Sequence, residues 1–163
     1  MFTFRQITIV LGTSQMSASF QYDPDQLKQF KFEATDIGAD KKVQLLARTD
    51  RLFAAAQILK RGGENNLHSH SHLDGFWFVL KGRARFYSDL VTVAAEICEN
   101  EGVLVPRGVK YWFESIGDEP LHLLQVECSD VAMPKIEQLV ADRKDFSPPK
   151  REISINALDE KRG

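Results

Sequence analysis

The chain is poor in cysteine, in long apolar runs and in net charge. Its 163 residues include two cysteines, Cys98 and Cys128. They form no Cys-x-x-Cys pair and are too few for a disulfide scaffold, so two buried thiols in a cytoplasmic protein are expected. No apolar run approaches the roughly 20 residues that cross a bilayer. Residues 1–7 carry one early cation, Arg5, and no long apolar core, which makes a poor secretory signal. Met16 opens a more polar segment and is a second candidate start. Basic and acidic side chains number 21 and 23, for a net charge of -2. That balance lacks the basic excess expected of a nucleic-acid-binding face. Neither nucleic acid nor membrane is therefore expected as a partner, and no internal repeat of useful length is visible.

Nine short strand-like runs, broken by glycine and proline, occupy the middle of the chain. They fall at 43–47, 52–59, 66–72, 76–80, 83–87, 91–97, 103–105, 111–114 and 121–127. Gly62-Gly63, Gly82, Asn100-Glu101-Gly102, Pro106-Arg107-Gly108 and Gly117-Asp118-Glu119-Pro120 separate them. Short strands at regular spacing with such turns indicate an all-β sandwich or barrel. Residues 1–41 read as an N-terminal extension, in which Asp23-Pro24 resembles a helix start. Phe30 and Phe32, alternating with lysines, suit an edge strand equally well. Beyond the barrel at 42–128, the segment 129–163 begins with a helical period. Ile136, Leu139, Val140 and Arg143 recur at i, i+3, i+4 and i+7, and Pro148-Pro149 ends that pattern. The remaining tail, with Lys150-Arg151 and Lys161-Arg162, reads as charged surface.

Three of the four histidines lie in Leu67-His68-Ser69-His70-Ser71-His72-Leu73-Asp74. Alternate residues of an extended chain share a face, so His68, His70 and His72 can present imidazoles side by side. Imidazole suits zinc, iron, nickel or copper. Asp74 can add a carboxylate, or serve only as the first residue of an Asp-Gly turn. His122, in a later strand, is a further candidate ligand if it points inward. Gln125 and Glu127 occupy the face opposite it, and parity alone does not say which face is inner. Trp77 and Val79 share one face of their strand, and Phe76 and Phe78 the other.

This framework resembles the cupin family of jelly-roll barrels. Gly62, His68, His70 and Gly82 match its first motif in order and spacing, and Pro106 and Gly108 match its second. The resemblance implies an all-β, double-stranded β-helix barrel of the RmlC-like kind, with an N-terminal extension and a short C-terminal helix. It also implies a divalent metal (Fe, Zn, Ni or Mn) at His68 and His70, helped by His72, Asp74 or His122. Tyr111 would be the acid or substrate-orienting group, and Trp77, Phe113 and Arg107 would line the pocket. The function implied is a small-molecule dioxygenase or isomerase. The competing expectation is a non-catalytic binding or sensing barrel whose metal site has degenerated. Phe76 and Phe78, expected to face outward, are covered by the extension, by the Pro134 helix or by a second subunit. Cupins are often dimers, so a homodimer is expected.

Four positions depart from the motifs. Gly75 stands where the family has a glutamate ligand, and Tyr111 where it has a histidine ligand. Asn100 replaces a glycine and Ser115 an asparagine. The change at Asn100 is mild, because asparagine tolerates the left-handed backbone that a turn glycine usually supplies.

Overall fold

A computed structural model describes residues 7–9, 27–61, 64–130, 132, 137–141 and 150–155. These form twelve strands: β1 (Ile7–Ile9), β2 (Lys41–Arg48), β3 (Leu52–Leu59), β4 (Leu67–His70), β5 (Leu73–Lys81), β6 (Arg83–Tyr87), β7 (Val93–Cys98), β8 (Gly102–Val105), β9 (Trp112–Ser115), β10 (Leu121–Ser129), β11 (Glu137–Ala141) and β12 (Arg151–Ile155). The all-β expectation holds, and no helix occurs among the described residues.

Seven strands make the large sheet, in the order β1-β12-β2-β3-β10-β5-β8. Two small sheets, β11-β4 and β7-β6-β9, lie over it. An isolated antiparallel bridge between His68 and Tyr111 ties the two small sheets together. Alternation in the strands fills the space between layers. Leu59, Trp77, Val79, Leu121 and Leu123 from the large sheet meet Ala84, Phe86, Ile97 and Phe113 from the small one in a single buried cluster. Each fully buried side chain of this kind contributes on the order of 1.5–3 kcal/mol.

The turns follow from local chemistry. Asn100, between β7 and β8, has φ 69°, the left-handed conformation its amide tolerates. Gly102 lies so close to β5 that a Cβ there would be 2.6 Å from the Trp77 carbonyl oxygen.

Outside the large sheet, Phe32 packs on a second cluster built from Leu46, Ala54 and Ala56. Polar anchors hold this segment: Lys42 Nζ donates to Thr35 Oγ1 at 2.7 Å and Gln44 Nε2 to the Lys31 carbonyl at 2.6 Å. Residues 27–40 therefore cross the sheet without forming a strand of their own. The helix start at Asp23-Pro24 lies outside the described residues.

Three expectations are corrected. The helix anticipated over 136–143 is absent from its described part, since Glu137–Ala141 forms β11 and pairs antiparallel with β4. The open edge of β4 offers ladder hydrogen bonds, and this tertiary pairing overrides the helical period. The start of the presumed surface tail, Arg151–Ile155, is strand β12 of the large sheet, parallel to β2. Cys98 and Cys128 are both exposed and in no disulfide, because both lie on outward-facing strand positions.

Candidate functional site

A cavity of about 370 Å³ opens between the layers. β4 supplies His68 and His70, whose rings stand 4.9 Å apart and nearly perpendicular. They share a face because they are two residues apart on an extended strand. Tyr111, buried at the start of the Trp112–Ser115 segment, has its ring 4.6 Å from that of His68. Trp77 and Phe113 form an aromatic wall, with ring centroids 5.1 Å apart.

His68 Nδ1 lies 2.7 Å from the Asn66 carbonyl oxygen. A carbonyl only accepts, so Nδ1 carries a proton, and the neutral tautomer compatible with this bond has its lone pair on Nε2.

The other half of the cavity is polar and was not anticipated as a site. Lys41, Gln57, Gln125, Glu127 and Arg151 line it. Gln57 Nε2 donates to Gln125 Oε1, and Gln125 Nε2 donates to Glu127 Oε1. The carboxylate can only accept, so it orients both amides and turns Gln57 Oε1 away from the chain of donors. That oxygen and the Trp77 indole nitrogen are buried without a hydrogen-bond partner among the described residues. Leaving such groups unpaired costs about 1–3 kcal/mol each.

Lys41 is 6 % exposed, and its Nζ lies 6.0 Å from the centre of the Phe113 ring. Burial pushes its pKa down to about 7, the Arg151 charge adds to the fall, and buried Glu64 opposes it. Arg151 stands opposite Lys41 in the parallel pairing of β12 with β2. Its counterpart in sequence, the Lys150-Arg151 pair, gave no signal beyond charge; only the long-range register reveals the site.

The remaining candidate ligands lie elsewhere. His122 is on the outer face of β10, its ring 6.1 Å from that of Phe32, while Leu121 and Leu123 face the core. Partial burial and the Lys81 charge lower its pKa, against a smaller opposing effect of Glu119. Asp74 is tied to the turn after β8: its Oδ1 accepts from the Arg107 backbone N–H at 2.8 Å. Arg107 is held in place by Asp74 and Asp130, with Nη1 3.1 Å from the latter, and does not line the cavity. His72 lies past the end of β4, its ring centroid 6.4 Å from that of His70. Gly75 borders a small recess beside His70 and Tyr111.

The described residues contain no group of three His, Cys, Asp or Glu side chains placed to hold a metal ion. His68 and His70 offer two donors, and Gly75 and Tyr111 stand where the motifs would place two more. The donor set does not fit a divalent metal held by three or more protein ligands.

Two layers of mostly antiparallel strands around a lined cavity define a double-stranded β-helix. Residues 56–127 match the family model described as the cupin domain. Among solved structures, a Klebsiella pneumoniae protein with a double-stranded β-helix domain aligns at TM-score 0.55 and 16% identity, covering 79% of this chain and 98% of that one. An RmlC-like cupin family protein from Methanocaldococcus jannaschii aligns at TM-score 0.54 and 19% identity, over 65% of this chain and 94% of that one. These likenesses show the fold. In sequence, mannose-1-phosphate guanylyltransferase 2 of Escherichia coli O157:H7 is 30% identical over 103 residues. The match takes in 61% of this chain and 18% of that protein's length.

Proposed function

We propose that this chain binds a small organic anion with a planar portion in the barrel cavity. The observation that carries the reading is the cavity's mixed charged, polar and aromatic lining. Arg151 brings a positive charge and Lys41 a buried amine to the lining, which also carries the Glu127 carboxylate and the polar rings of His68, His70 and Tyr111. Trp77 and Phe113 between them suit a flat apolar part. The unpaired Gln57 oxygen and Trp77 N–H offer an acceptor and a donor that a ligand satisfies. Binding or sensing needs no complete metal centre, which agrees with the donors present. The reading extends to a homodimer in the cytoplasm. Stacked Phe76 and Phe78, with ring centroids 6.2 Å apart, and Leu104, 66% exposed, support a second copy on the outer face of β5 and β8.

A second reading, a metal-dependent dioxygenase or isomerase, is favoured by one observation. The hydrogen bond to Asn66 fixes the His68 tautomer that leaves Nε2 available beside His70. In that reading the bound ligand supplies the donors the protein lacks.

Elemental analysis of untagged protein, with a thermal-shift screen of small carboxylates, separates the two. Stabilisation by carboxylates at well below one metal per chain supports the binding reading. Near one metal per chain, lost in His70→Ala, supports the enzyme reading and contradicts the first.

A further inference from the structure

A lysine lining a water-sized-or-larger cavity inside an aromatic barrel has more to offer than charge. Lys41 is buried, and its amine nitrogen lies 6.0 Å from the centre of the Phe113 ring. Its setting is the face of Phe113 and the cavity space, where the Arg151 charge disfavours the ammonium and the buried Glu64 carboxylate favours it less strongly. Burying an ammonium in such surroundings is costly, and a neutral amine is the form the site favours. A neutral, desolvated lysine amine is a nucleophile toward carbonyl carbon. Arg151, next to Lys41 across the strand pairing, keeps its charge under all ordinary conditions. Its planar guanidinium matches a carboxylate. The two side chains together present a nucleophile and an anion clamp at adjacent positions.

We propose that Lys41 captures the carbonyl carbon of a small 2-oxo acid as a Schiff base while Arg151 holds the acid's carboxylate. The inference rests on the anion-binding reading above and names the ligand class. The amine nitrogen adds to the carbonyl carbon to give a carbinolamine. The C–O bond then breaks, a C=N bond forms, and the carbonyl oxygen leaves as water with the two amine hydrogens. No oxidant or reductant takes part. The Trp77 and Phe113 wall limits water's access to the imine, which slows its hydrolysis. His68, His70 and Tyr111 also line the cavity, where they contact the remainder of the ligand.

The test uses the full chain with pyruvate and sodium cyanoborohydride, followed by intact mass and peptide mapping. A single reduced pyruvate adduct per chain, mapped to Lys41, is expected. The adduct should be lost in Lys41→Arg, and its yield should fall roughly tenfold in Arg151→Gln, as for loss of one charge-assisted contact. Mapping on the unmodified sequence makes the result independent of how the variants fold. Calorimetry with lactate, which has the carboxylate but no ketone, runs alongside. Lactate binding without a Lys41 adduct from pyruvate overturns the Schiff base and leaves the anion-binding reading standing. Absence of both overturns the two together. An adduct spread over surface lysines also overturns the proposal.

Discussion

Arg151 and Lys41 lie far apart in sequence and meet as direct partners in the parallel pairing of β12 with β2. That pairing puts a permanent cation beside a buried amine in the wall of the cavity. The polar lining of the site depends on it.

The Lys41 amine should make stability depend on pH. Its folded pKa is lowered to about 7 from 10.5. Between those values the unfolded chain binds more protons than the folded one, so stability rises with pH across that window. Below about pH 7 the penalty is present in full. Lys41→Met should therefore exceed the parent protein in stability by about 2–4 kcal/mol at pH 6.5. The gap should close toward pH 10. Urea unfolding at the two pH values checks this, and a variant less stable than the parent at both would refute it.

His122 should matter to stability and not to the site. Its pKa is lowered by partial burial and by Lys81, so stability falls as pH drops through the ordinary value of 6.5 toward the folded one. His122→Leu should flatten that fall in thermal melts between pH 7 and pH 5. Ligand binding should be unchanged; weakened binding would return His122 to the site.

Gly75 and Tyr111 border the recess next to His70, at the positions where the cupin motifs place a glutamate and a histidine. A Cβ at Gly75 would meet Trp77 Nε1 at 3.4 Å, an ordinary contact. Gly75→Glu with Tyr111→His should therefore fold and bind about one divalent metal per chain. Metal content by mass spectrometry would show the gain over the parent, and equal content in both would contradict the account of the missing donors.

Phe76 and Leu104 are register partners on the outer face of the sheet, and both are exposed. If a second copy covers them, Phe76→Ser should convert a dimer to a monomer in analytical ultracentrifugation. A parent protein that is already monomeric would remove the homodimer from the proposal.

The barrel was legible because its strands alternate and its turns carry glycine, proline or Asn100. The histidine pair was legible because two residues apart on a strand means one face. Parity also separated His122 from Gln125 and Glu127, but which face was inner depends on packing: Leu121 and Leu123 point into the core and take Gln125 and Glu127 with them. Lys41 and Arg151 were illegible for a different reason. Nothing local distinguishes a lysine at the start of β2 from a surface lysine; burial follows from strands far apart in sequence. The same holds for β11, whose helical period yields to the unpaired edge of β4.

The central claim is an organic-anion site that works without a metal, and calorimetry in the presence of a chelator tests it most directly. Pyruvate titrated into the full chain with EDTA should bind at one molecule per chain. Affinity should match that measured without EDTA and fall roughly tenfold in Arg151→Gln. Binding that appears only when a divalent metal is added, and that disappears in His68→Ala while surviving Arg151→Gln, would contradict the account.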